Sequence, residues 1–148
     1  MDNINSSEKV MKVLASMGYE SEAVECGVRF GIGDTENAFP VVILIDDKDM
    51  IINCEIAKWG EISSNVAEDM KDDFFLGLLD INTQILPYSV AVVSNIDGEE
   101  DDRDSWPVVL IDSMPIGDIS EDELRSSIQS LMKALHTAKD LFSVVLVG

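Results

Sequence analysis

From Ala23 to Ile32 the chain alternates strictly: Val24, Cys26, Val28, Phe30 and Ile32 fall on one side, and Glu25, Gly27, Arg29 and Gly31 on the other. A period of two is the signature of an extended segment whose successive side chains point to opposite faces, and it does not fit a helix. The stretch is expected to be one half-buried strand. Two further apolar runs, Val41 to Ile45 and Met50 to Trp59, flank the polar turn Asp46 to Asp49, DDKD. They read as a hairpin whose first strand is apolar on both faces, giving a first sheet segment of three strands.

Around this segment the period changes to that of helices. Val10, Val13, Leu14 and Met17 recur at helical spacing from about Ser6 to Met17, and Gly18 is placed to end that helix. A second helix is expected from about Asn65 to Ile85, with Ala67, Met70, Phe74, Gly77, Leu78, Ile81 and Ile85 as its stripe. Asn65 with Glu68 resembles a capping pair there, and Glu68, Asp69, Asp72 and Asp73 set negative charge near the positive end of the helix dipole. Pro87 stops it. Two strands follow, Tyr88 to Val93 and about Trp106 to Ile111, separated by an acidic loop. Ser120 and Glu123 form a capping box inside the apolar pair Ile119 and Leu124, marking a third helix. Its seam runs through Leu124, Ile128, Leu131, Leu135, Ala138 and Phe142. The valines of the tail SVVLVG suit a short last strand better than more helix, with a frayed, buried helix end as the alternative. The order α-β-β-β-α-β-β-α, without repeats or a Gly/Ser/Pro-rich linker, gives one domain over 1–148, an α+β fold with helices packed on a largely antiparallel sheet.

Composition narrows the partners. The chain has 148 residues, 46% of them hydrophobic, which supplies a core without disulfide staples. Its formal charge of -19 repels phosphate backbones and anionic membrane surfaces, and would attract a basic or amphipathic peptide. Apolar runs such as VVILI are far too short for membrane insertion. The N-terminal MDNINSSEKV lacks a basic region followed by an apolar segment, so a cytoplasmic protein is expected. Cys26 and Cys54, both within apolar strand-like runs, read as buried free thiols.

Several patterns could carry chemistry. His136, with Asp140 one turn further on, has no second ligand in HExxH spacing, and a helix-surface ion pair explains it. The glycines of GIGDTEN open like a dinucleotide fingerprint but lack its third glycine and a following helix. No phosphate-binding loop or nucleophile elbow is present, and adjacent acids such as Asp72 and Asp73 diverge by about 100° on a helix. No catalytic residue, cofactor or metal ligand is therefore assigned, and the chain is read as a non-enzyme. The stretch NIDGEEDDRDSW, Asn95 to Trp106, is the strongest candidate for a calcium loop. Counting from Asn95, however, the glycine comes fourth rather than sixth, and the twelfth position is Trp106 rather than glutamate. A solvated hairpin connection fits better. Trp59 and Trp106, at strand ends, read as core or rim packing.

The block LLDINTQILPYSVAVV, Leu78 to Val93, followed by VVLIDSMPIGDISEDELRSSIQSLMKAL, resembles small bacterial YbjN-like proteins and CesT-like type III secretion chaperones. FPVVILIDDKDMIINCEIAKW, Phe39 to Trp59, and ILPYS, Ile85 to Ser89, resemble pieces of the YjfI-like family. The resemblance spans about Phe39 to Leu141. It implies a secretion chaperone-like fold and an acidic, usually dimeric protein that receives a segment of another protein, in an envelope-stress or secretion setting. Strand addition would need no catalytic residue. On this reading a protein client is the partner, Phe74, Phe75 and Leu78 are candidates for a homodimer interface, and Glu99, Glu100, Asp101 and Asp102 are candidates for docking a basic client segment. A sensory or regulatory domain that binds a small ligand or divalent cation is the alternative.

Overall fold

The computed structural model describes residues 6–33, 38–93, 105–116 and 119–146, with side chains followed to residue 140. In chain order the elements are α1 (Ser7–Ser16), β1 (Ser21–Val24), β2 (Gly27–Ile32), β3 (Phe39–Ile45), β4 (Asp49–Lys58), α2 (Trp59–Asn65), a 3-10 turn (Glu68–Met70), α3 (Lys71–Ile81), β5 (Ser89–Val92), β6 (Pro107–Pro115) and α4 (Glu121–Leu146). The strands form one six-stranded sheet in the order β1-β2-β3-β4-β6-β5, and each described pairing is antiparallel. The fold is α+β, with helices packed on an antiparallel sheet.

Helix ends follow their local chemistry. Ser6 caps α1 by accepting the Lys9 N–H, and at the other end Gly18, at φ +92°, lets the Tyr19 and Gly18 N–H groups return to the Leu14 and Ala15 carbonyls. Left-handed backbone is a conformation glycine adopts without steric cost. Ser120 Oγ accepts the Glu123 N–H at 3.2 Å, the N-cap half of the expected box, and Ile119 and Leu124 are both buried, as a hydrophobic staple requires.

The α4 seam, Leu124, Ile128, Leu131, Leu135 and Ala138, is buried; the side chain of Phe142 lies outside the described residues. Removing each large aliphatic group from water contributes about 1.5–3 kcal/mol. A bond from Tyr88 to Ser127 ties α4 to the start of β5, and one from Ser127 to Asp112 ties it to β6. Because α1, α2 and α3 all touch α4, the described helices lie on one side of the sheet. Register puts Val28, Ile43, Ile52, Asp112 and Leu110 on that side. The opposite side carries Val42, Leu44, Ile51, Asn53 and Ile111.

Several elements differ from the sequence reading. The alternating stretch is not one strand but a hairpin: Val24 pairs with Gly27 across the two-residue loop Glu25–Cys26. Paired residues share a face, so the turn inverts the parity and Val24 lies opposite Val28, Phe30 and Ile32. Cys26 sits exposed in the loop at φ 63°, whereas Cys54 is buried. β3 is buried on one face only, through Val41 and Ile43, while Leu44 is 40% exposed. Trp59 begins a helix instead of ending a strand. The long helix expected over 65–85 is broken: Val66 and Ala67 are both extended, and the Asn65 amide donates back to the Glu61 carbonyl, closing α2 rather than capping the next helix. α3 then ends at Ile81, well before Pro87, where the Thr83 and Gln84 N–H groups turn back to the Asp80 and Ile81 carbonyls in tighter bonds and the Asn82 side chain accepts from the Val90 N–H. β6 runs on to Pro115. The tail through Leu146 is helical, not a strand.

The first hairpin yields two opposite expectations. A Cβ at Gly27 would stand 2.1 Å from the Ile43 carbonyl oxygen, a backbone atom that cannot swing aside. Gly27→Ala should destabilise by about 3 kcal/mol, at the upper end for overpacking. Cys26→Gly should stabilise by about 1 kcal/mol, since an L side chain in left-handed backbone costs about that much. Urea denaturation of both variants checks the pair; stabilisation by Gly27→Ala, or loss of stability in Cys26→Gly, would contradict this geometry.

Candidate functional site

Strand edges are the first surfaces to weigh, because strand addition needs unpaired N–H and C=O groups. Both edge strands, β1 and β5, are four residues long. On β5 the Val93 N–H bonds inward to the Pro107 carbonyl, so by antiparallel alternation the Val90 and Val92 N–H groups point away from β6. Val90 is already satisfied, donating to Asn82 Oδ1 at 2.7 Å. Asn82 therefore blunts this edge, and little open backbone remains on it within the described residues.

The helix-free side of the sheet offers more. Val42, Leu44, Ile51 and Ile111 make it largely apolar, with Asn53 between Val42 and Ile111 and Ser113 beside Ile51. Its middle rows carry Glu22, ion-paired with Arg29, and Glu55, whose carboxylate lies 2.7 Å from Lys58 Nζ. Asp49 stands at the hairpin end, next to Asp46, whose carboxylate accepts the Lys48 and Asp49 N–H groups and is held below the usual carboxylate range by them. In a chain of net charge -19, this face is close to neutral.

The second apolar surface belongs to α3. Phe74 turns inward and is only 8% exposed, Phe75 is half-buried and stacks on Trp59 with ring centroids 5.4 Å apart, and Leu78 is half-buried against the core. Of these interface candidates, Phe74 has almost no surface left to offer. Leu76 and Leu79 instead project outward, 64% and 67% exposed. Sequence reading passed over them because it followed the inward stripe; two leucines among exposed acids were the available signal. Glu99, Glu100, Asp101 and Asp102 lie outside the described residues.

Inside the helix layer is a buried polar chain. The Tyr88 hydroxyl donates to the Ser127 carbonyl at 3.0 Å and lies 2.9 Å from Ser127 Oγ, which donates to Asp112 Oδ2 at 3.3 Å. Burial pushes the Tyr88 phenol well above its ordinary range, and pushes the Cys54 thiol up to about 12. Neither is ionised near neutrality, so neither is an activated nucleophile. Burial also raises the Asp112 carboxyl, against the opposing bonds from Ser127 and the Ser113 N–H. No buried side-chain polar atom among the described residues lacks a partner, so the chain is a satisfied structural network. His136 is exposed on α4, beside a cleft with Tyr19, Phe39 and Lys139. Among the described residues no group of three or more His, Cys, Asp or Glu side chains is placed to hold a metal ion, and no helix is long and apolar enough to cross a membrane.

No family model and no curated protein matches the sequence. Two solved structures share the fold over nearly the full chain. An uncharacterized protein from Methanothermobacter thermautotrophicus is 13% identical, with a TM-score of 0.61 over 94% of this chain and 98% of that one. YbjN from E. coli, a candidate transcription regulator, is 10% identical, with a TM-score of 0.59 over 98% of this chain and 93% of that one. The chain thus has the YbjN-like fold, and at these identities the likeness concerns the fold alone.

The network sets a pH dependence. A carboxyl raised on folding binds its proton more tightly in the native state, so stability falls as pH rises from its unfolded value through its folded one. Asp112→Asn cannot ionise yet keeps an oxygen to accept from Ser127 and Ser113. The variant is expected to be more stable than the parent at pH 7, with the difference shrinking below the carboxylate range. Denaturation midpoints across that range check this; lower stability of the variant at pH 7 would show that the charge is favourable.

Proposed function

We propose that the protein is a non-enzymatic, chaperone-like protein-binding domain that works in the cytoplasm as a homodimer and engages a segment of a client protein. The observation that carries this reading is the sheet itself: the described helices cover one side and leave Val42, Leu44, Ile51 and Ile111 across the other. An apolar surface of this kind is stabilised when another protein removes it from water. Its paired carboxylates make it the surface on which two copies of a strongly acidic chain meet with least repulsion. The half-buried Phe75 and Leu78 contribute at the edge of α3, which faces a client rather than the second copy.

The resemblance of Phe39 to Trp59 and of Ile85 to Ser89 to YjfI-like proteins supports an envelope-stress or secretion setting. YbjN is a candidate transcription regulator. Direct contact with nucleic acid does not suit this chain, whose -19 charge repels phosphate. A regulatory role here would run through protein contacts.

Light scattering tests the dimer: the purified protein should show a mass near twice 16.3 kDa. Leu44→Lys combined with Ile51→Lys should give single chains with an unchanged circular dichroism spectrum. Single chains from the parent at high concentration would refute the dimer. Affinity capture from lysate with the parent as bait tests client binding, and recovery of no protein above background would refute it.

A further inference from the structure

α3 shows solvent a stripe in which Leu76 and Leu79 lie among Asp72, Asp73 and Asp80, all five exposed. Helical spacing brings these side chains within roughly 120° of one another around the axis. Lys71, the cation of this helix, lies outside the stripe, at the wall of the adjoining cleft, and its charge is paired with Glu68 at 2.8 Å. Among the described residues no cation pairs with the stripe's carboxylates. Beside Leu79 the helix carries Phe75, whose ring forms part of a cleft of about 190 Å³ between Trp59, Ile62 and Val66. An apolar stripe flanked by one sign of charge, with a side-chain-sized cleft alongside, specifies its occupant by complementarity.

We propose that this stripe and cleft bind a basic amphipathic helix of a client protein. One large apolar side chain of the client enters the cleft against Phe75 and Trp59, its neighbours cover Leu76 and Leu79, and its lysines or arginines face Asp72, Asp73 and Asp80. A second copy of this chain would bring the same three carboxylates face to face and is repelled, as is an anionic membrane. The inference rests on the protein-binding reading above and gives that reading a client chemistry.

The probe is a fluorescently labelled leucine–lysine amphipathic peptide, titrated into the full chain by anisotropy, beside a scrambled peptide of equal composition. The parent should bind the amphipathic peptide more tightly than the scrambled one, and less tightly as salt rises. Leu76→Ser with Leu79→Ser, at exposed positions, should weaken binding about tenfold or more, as loss of an apolar anchor does. Asp72→Asn, Asp73→Asn and Asp80→Asn together should weaken it comparably. Glu20→Gln, Glu25→Gln and Asp47→Asn, which remove the same charge elsewhere, should change it little. Equal binding of the scrambled peptide, or equal weakening by the control variant, would reduce the effect to bulk charge and overturn the proposal. Conversion of a dimeric parent to single chains by the leucine variant would assign the stripe to a second copy and also overturn it. If the sheet variant Leu44→Lys with Ile51→Lys loses the peptide while the stripe variants keep it, the client site moves to the sheet and the protein-binding reading stands. Absence of peptide binding by the parent, together with no client captured in the lysate experiment, removes both.

Discussion

The position of α4 over the sheet is the constraint on which the other helices depend. Its seam buries Leu124, Ile128, Leu131 and Ala138 almost completely, and α1, α2 and α3 each lean on it. An aliphatic seam by itself tolerates a slide along the helix axis, since dispersion and burial have little directionality. The bonds from Tyr88 to Ser127 and from Ser127 to Asp112 do not. They fix which turn of α4 faces β6 and the entry to β5. The network thus supplies register where the apolar groups supply most of the free energy.

One helix layer on one side of a six-stranded sheet leaves the surface divided by charge. On the open sheet side the central carboxylates are paired, Glu22 with Arg29 and Glu55 with Lys58. On α3, Asp72, Asp73 and Asp80 stand around two leucines without such partners among the described residues. Like charges screened only by water repel within about a Debye length, roughly 8–10 Å at ordinary salt. The two apolar surfaces therefore suit different occupants, a near-neutral face for another acidic chain and an acid-flanked stripe for a basic one.

Helices with strong end signals were legible in the sequence. Ser6 and Gly18 bound α1, and the Ser120 cap on the Glu123 N–H opens α4 where the pattern placed it. Parity was less reliable. A two-residue turn leaves the apolar alternation of Ala23 to Ile32 unbroken while reversing which face each residue takes, so periodicity alone cannot reveal the fold-back at Cys26. The break at Val66 and Ala67 was hidden for a similar reason: their side chains suit a stripe, and only the backbone shows them extended. Tracing a helix by its inward stripe also selects residues that the core consumes, which is why Phe74 drew attention before Leu76 and Leu79. The Tyr88–Ser127–Asp112 chain joins residues far apart in sequence, and no local pattern marks it.

The edges decide how this fold can receive a client. Strand addition draws on a run of unpaired backbone groups, and a four-residue edge strand offers two outward N–H groups at most. On β5 one of the two is taken by Asn82, which follows directly on the end of α3. α3 stays short, and its outer stripe is uncovered by any described element. At the β5 edge main-chain pairing is curtailed, and under the proposed client-binding reading the leucines and carboxylates of α3, at fixed helical spacing, carry the specificity instead. Proteins that share this fold at 13% and 10% identity need not share those side chains, since the sheet and its helix layer can persist while the surface residues change.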